Sequence, residues 1–237
     1  MKTIPIRLTT YKFQGWNQWL LLMKDLGVHL DSKLRNLGHL DFICFKAWKV
    51  LGFLRKFTSD FRNCSVILNL YKSLVLPILL YSSPVSTPYL AYEKHRMESV
   101  QHKFLRYLAF KSGRPMHPHD HDDSPIMNRF KISSLSSQRN VKDVIFAFKL
   151  IHGGVDCADL SNRFIMRDIS YNLRYIRPFE ETTAGTNYRS VAQIPRLIST
   201  WHKLPPSNAA ETNVVRFKRL VKLAWFKYEW NALNARF

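Results

Sequence analysis

The stretch YEKHRMESVQHKFLRYLAF, residues Tyr92 to Phe110, decides how this chain is read. At about 100° per residue, Met97, Val100, Phe104 and Leu108 share one arc, and Arg96, Lys103 and Arg106 share another roughly opposite to it. One side of such a helix packs and the other is free to meet phosphate. Upstream, Phe42, Phe45, Val50, Phe53, Leu54 and Phe57 recur at three- and four-residue steps between Asp41 and Phe57, with Lys46, Lys49, Arg55 and Lys56 between them. This reads as a first amphipathic helix. Asn63 to Leu76 is apolar on nearly all sides, with Asn63 or Ser65 to cap it and Pro77 to end it, and predicts a central buried helix. Ser82 to Tyr89, holding Pro84 and Pro88, predicts a loop.

Downstream, Lys111 to Ser124 is rich in Gly, Pro, His and Asp and predicts a loop or local disorder. Leu135 to His152 returns to helical spacing on Val141, Val144, Ile145, Phe148 and Ile151, and Gly153-Gly154 stops it. From Cys157 to Leu204 the pattern is poor, the best readings being an extended Ser170–Arg177 and a helical Val191–His202. In the last element Val214, Phe217, Val221, Ala224, Trp225 and Tyr228 line one face, with Arg216, Arg219 and Lys222 on the other. The expected fold is mainly α: a helical bundle with a short N-terminal strand pair and a less regular C-terminal part.

Charge narrows the function. The 237 residues are 46% hydrophobic, enough for a buried core, yet 36 Lys and Arg against 17 Asp and Glu leave a formal charge of +19. A domain with that excess repels itself and seeks a polyanion, so RNA or DNA is the expected partner, against the plainer reading of solvated basic faces. No basic block abuts an amphipathic anchor, and the apolar run Val75–Leu80 is broken by Pro77 and falls short of the ~20 residues of a membrane span. After Lys2 no apolar run of secretory length follows, because Leu20-Leu21-Leu22 lies between Trp19 and Met23-Lys24-Asp25. Cys44, Cys64 and Cys157 are odd in number and far apart, which speaks against a disulfide framework or a Cys-x-x-Cys zinc site. The expectation is a soluble intracellular protein, nuclear or cytoplasmic, with no membrane partner.

Three kinds of local pattern bear on chemistry: a His/Asp cluster, a pair of aspartates, and cations mixed with rings. His117-Pro118-His119-Asp120-His121-Asp122-Asp123 resembles the His-x-His-x-Asp-His zinc pattern of metallo-beta-lactamases, but His121 and Asp122 stand in swapped order. No apolar strand precedes them, so a solvated loop is expected and no metal. Asp25 and Asp31, six residues apart, would lie ~20 Å apart if extended, too far for two metal ions ~4 Å apart. Neither a nucleophile elbow nor a phosphate-cradling Gly-rich loop occurs, so no residue is assigned as catalytic and no cofactor is expected. Lys103-Phe104-Leu105-Arg106-Tyr107 and Phe217-Lys218-Arg219 mix cations with rings, but Phe104 and Phe217 fall on apolar faces and read as core. Only the cations then remain for a ligand.

A family resemblance runs through a series of blocks in order. These are Asp25-Leu26-Gly27-Val28-His29-Leu30-Asp31-Ser32-Lys33-Leu34, His39-Leu40-Asp41, Ala47 to Arg55, Leu70 to Pro77, Leu80 to Val85 with Pro88-Tyr89, and Arg96 to Tyr107. Weaker echoes follow in Lys149 to Gly153, Asp156-Cys157, Thr186-Asn187-Tyr188, Pro195-Arg196 and Phe217-Lys218. The series resembles the region just downstream of the catalytic palm in reverse transcriptases of non-LTR retrotransposons, the LINE-like elements of the jockey type. That family's Phe/Tyr-Ala-Asp-Asp tetrapeptide does not occur here, Ser86 stands where its Trp is expected, and residues 1–24 do not match.

The resemblance implies an unmatched leader at 1–24, a thumb-like helical domain at 25–112, a His/Asp-rich loop at 113–124 and a mostly helical region at 125–237. It implies a fragment of an RNA-directed DNA polymerase that binds the primer-template backbone without regard to sequence and does not polymerise. Arg96, Lys103, Arg106 and Lys111 are the expected contacts, with Arg55, Lys56 and Lys72 behind them. The alternative is a domesticated or decaying fragment whose helices pair with a separate palm domain or another protein.

Overall fold

The computed structural model describes residues 23–30, 37–88, 90–113, 122–167, 178–180 and 192–234. Most of the leader, Asp31, Tyr89, His117, His119, Asp120, His121, the stretch Ser170–Arg177, Thr186-Asn187-Tyr188, Val191 and the side chain of Tyr228 lie outside the described residues. The chain divides into two compact units, Met1–Ile126 and Met127–Phe237. Helices dominate both, as the periodicity predicts.

The first unit opens with a hairpin, β1 (Met23–Asp25) against β2 (Val28–Leu30), antiparallel and in register Lys24 to His29. Leu26 and Gly27 turn it with φ of 45° and 84°. Two consecutive positive φ values make a turn whose twist matches that of the strands it joins. Tyr81 closes over this turn, its hydroxyl donating to the Leu26 carbonyl. The segment from Asp25 onward therefore folds back on itself instead of running extended, because Leu26-Gly27 supplies the turn that an extended reading of the two aspartates ignores.

Four helices follow: α1 (Leu37–Phe57), α2 (Cys64–Leu74), the single turn α3 (Leu76–Leu79) and α4 (Ala91–Lys111). Asn63 caps α2 by accepting the Ser65 N–H at 2.9 Å. Pro77 sits inside α3, in the first turn where its missing N–H costs nothing. At the start of α4 the Glu93 carboxylate accepts the Leu90 N–H at 3.1 Å. Asp41 meets Arg96 at one end, and Thr58 meets Tyr107 at the other. The partners keep a nearly constant offset in sequence, so α1 and α4 run side by side in the same direction.

Between them lies the core: Ile43, Ala47, Leu51 and Leu54 from α1, Ile67 and Tyr71 from α2, and Val100, Phe104, Leu105 and Leu108 from α4. Tyr71 and Phe104 stack with centroids 3.8 Å apart and planes 6° from parallel. Burial pushes the Tyr71 phenol well above its ordinary range.

Two helices depart from their expected faces. Of the apolar positions expected to pack on α1, Leu54 is buried and Val50 is half-buried, but Phe42, Phe45, Phe53 and Phe57 are exposed at 38%, 64%, 63% and 57%, and the opposite, aliphatic arc packs instead. Small and branched side chains let α1 approach its neighbours closely, and four rings on the same side would hold them apart. Nor is α2 buried on all sides. Ile67, Leu68 and Tyr71 face the core, but Val66 and Leu74 are exposed, because only one face of the helix has helices to pack against.

Helix α5 (Ser124–Phe130) spans the division between the units. The second unit holds α6 (Leu135–Ile151), the short α7 (Ala158–Ser161), α8 (Gln193–Trp201), the short α9 (Pro206–Ala209) and α10 (Val214–Asn234). Gly153, at φ 67°, follows α6 and ends it. Phe148 and Phe217 stack at 4.0 Å, with Trp201 against Phe217 at 5.9 Å, so α6, α8 and α10 meet around three rings. Nearby, Asp143 is buried and its carboxylate accepts from Arg196 Nε at 2.9 Å. Burial raises its pKa, and the neighbouring Arg196 and Arg139 only partly offset that.

Candidate nucleic-acid interface

The ends of α1 and α4 bring the predicted cations together. Thr58, the first residue after α1, turns its hydroxyl back to the Leu54 carbonyl at 2.8 Å and lies 2.8 Å from the Tyr107 hydroxyl. Tyr107 also donates to the Thr58 carbonyl at 3.0 Å. That phenol pins α4 to the end of α1, and its ring becomes a shared surface for charge. Arg55 Cζ lies 5.5 Å from the ring centroid and Lys111 Nζ 5.8 Å. Lys111 also donates to the Ser59 carbonyl, and Lys56 follows Arg55 on the exposed last turn of α1.

Lys103 and Arg106 stand on the outward side of α4, the first exposed and the second half-buried. Lys103 is eight residues, or ~12 Å along the axis, before Lys111. The described ion pairs take up Arg96, Arg196 and Arg216 and leave Lys56, Lys103 and Arg106 outside them. Cations held against a ring or standing in solvent keep their positive field, whereas one held by a carboxylate has spent it. Arg55 and Lys111 thus meet on one ring at the end of the helix pair, Lys56 is exposed on the same last turn of α1, and Lys103 and Arg106 lie further back along α4. The helix C-termini at that end also favour positive charge.

The remaining predicted contacts are elsewhere. Arg96 is ~22 Å from Lys111 along α4 and is bound to Asp41. Lys72 is exposed in the last turn of α2, and no described contact joins it to the cluster. Asp122 accepts the Ser124 N–H at 2.9 Å at the start of α5, and Asp123 lies 2.7 Å from His102 Nδ1. Asp122 therefore caps the start of α5, and Asp123 ties the preceding segment to α4. Among the described residues no cluster of metal-binding side chains occurs. No helix among them is long and apolar enough to cross a membrane.

Sequence reasoning missed two things. The first is Tyr107, which in the sequence is only one ring in a mixed cation and ring segment but in the fold organises two of the cations. The second is the outward side of α1, where Phe45, Phe53 and Phe57, expected in the core, instead alternate in solvent with Lys46, Lys49 and Lys56. The available signal was that α1 carries two apolar arcs, one aliphatic without charge and one aromatic with three lysines.

No protein family, no curated protein and no solved structure matches the chain.

Proposed function

We propose that this chain grips the backbone of RNA or DNA without regard to sequence, as a thumb-like fragment similar to those of non-LTR retrotransposon reverse transcriptases, and does not polymerise. The observation that carries the reading is the meeting of Arg55 and Lys111 on the Tyr107 ring at one end of the α1–α4 pair, with Lys56, Lys103 and Arg106 on the same two helices, in a chain of formal charge +19. Phosphate contacts of this kind position a nucleic acid but read no bases, because every phosphate looks alike. Catalysis falls outside the proposal, since the palm tetrapeptide that would hold the metal ions does not occur in the sequence.

The test is a joint Lys56→Ala, Lys103→Ala and Arg106→Ala variant, assayed on duplexes of unrelated sequence. Binding is expected to weaken alike on all of them, with the salt slope reduced by about one unit per lost contact. Affinity equal to the parent's at matched salt would mean that this end is only solvated, and the proposal would be wrong. A second reading, a helical module that docks on a separate palm domain or another protein, draws on the exposed rings of α1.

A further inference from the structure

We infer that the outward side of α1 is a platform on which unpaired bases of single-stranded RNA or DNA stack while adjacent lysines hold the phosphates. The inference rests on the nucleic-acid reading above and adds the strand type and a second mode of contact.

The exposed side chains of α1 are unusual. A helix that has already buried Ile43, Ala47, Leu51 and Leu54 has no packing use for rings on its other side. Phe45, Phe53 and Phe57 are nonetheless each more than half exposed. They are also arranged. Phe53 and Phe57 lie nearly parallel, 14° apart with centroids at 5.9 Å, and the half-buried Phe61 follows 5.6 Å further on with its ring tilted by 60°. Phe45 to Phe57 spans ~18 Å along the helix axis, room for several nucleotides in a row.

Charge identifies the occupant. Lys49 Nζ lies 5.4 Å from the Phe45 centroid, and the exposed Lys56 stands between Phe53 and Phe57 in helical angle and Phe45. The only acid in α1, Asp41, is engaged by Arg96. A protein partner covering these rings would strip water from lysines at the centre of the contact, where charged residues are normally depleted. A single strand removes the conflict, because it brings an anion with every base. Each base offers a π face to a ring and each phosphate a counter-charge to a lysine, which makes the contact tolerant of sequence. A duplex cannot use the rings, since its bases already stack on one another.

The experiment compares the parent with a Phe53→Leu, Phe57→Leu double variant, which keeps apolar bulk and removes the π faces. Fluorescence anisotropy reads binding to a labelled oligouridylate and to a blunt-ended two-strand RNA duplex with the same number of phosphates, at one salt concentration. The oligouridylate is expected to bind on the order of tenfold more weakly to the variant, with duplex binding changed by less than about twofold. Because both rings are exposed, the thermal midpoint should not move, and that is measured alongside. Equal affinity of parent and variant for the oligouridylate overturns the stacking inference and leaves the backbone grip standing, with the rings then assigned to a protein partner. Equal loss on both probes also overturns it, since a duplex offers no unpaired base. A parent that binds neither probe overturns this inference and the reading beneath it together.

Discussion

Phe104 and Arg106, two residues apart on α4, show how one helix separates packing from binding. Phe104 is fully buried and stacked on Tyr71, whereas Arg106 reaches solvent. Phe104→Ala leaves a ring-sized cavity between α1, α2 and α4 and is expected to lower stability by about 3 to 5 kcal/mol, read from the denaturant midpoint. Arg106→Ala is expected to stay within about 0.5 kcal/mol of the parent. Comparable losses in the two would place Arg106 in the structure of the unit. His29 gives a pH test at the same scale. Burial, and then Lys24 across the hairpin, hold its pKa below 6.5 in the folded chain. The unfolded chain therefore binds the proton more readily. The contribution is whole above pH 6.5 and is lost as pH falls through the depressed folded value. His29→Gln is expected to flatten that acid-side decline in unfolding free energy. An unchanged pH profile would mean that the imidazole ionises equally in both states.

At the scale of the element, α1 is the sharpest case, because its faces are the reverse of what its ring spacing suggests. Phe45→Ala is expected to change stability by no more than about 0.5 kcal/mol, whereas Leu51→Ala is expected to cost about 2 to 5. Denaturation of the two variants checks it, and the opposite order would put the rings back in the core. Much of the fold was legible from such patterns. The clean arcs of α4, α6 and α10 gave the buried Phe104, Phe148 and Phe217 correctly, since one dominant period and one apolar face leave a single way to pack. On α1 the period is equally clear but two faces are apolar. Periodicity then cannot choose, and side-chain size decides: Ala47 and Leu51 permit close approach to α4, and Phe45 and Phe53 do not. The hairpin turn was legible in Leu26-Gly27 only through its glycine, because a leucine at φ 45° is rare enough that no pattern announces it. Of the candidate contacts, Arg96, Lys103 and Arg106 followed from helical angle. The meeting of Lys111 with Arg55 depends on α1 and α4 running parallel, a long-range fact that no local window contains.

Across the whole molecule, each unit closes its own core, and the excess charge is carried on surfaces that neither core needs. In the first unit those surfaces are the basic end shared by α1 and α4 and the ring-and-lysine side of α1. In the second, Arg216, Arg219 and Lys222 lie on the solvent side of α10 while Phe217, Val221 and Trp225 pack. A protein with a formal charge of +19 maintains that self-repulsion at a cost in stability unless a polyanion relieves it. The central claim is therefore electrostatic, and counterion release makes it measurable. The decisive measurement is the affinity of the intact chain for duplexes of unrelated sequence across a salt series. With on the order of five phosphates neutralised, log K is expected to fall against log salt with a slope of roughly −4 to −5, the same for every sequence. A flat salt response, or a slope that belongs to one sequence alone, would contradict the account.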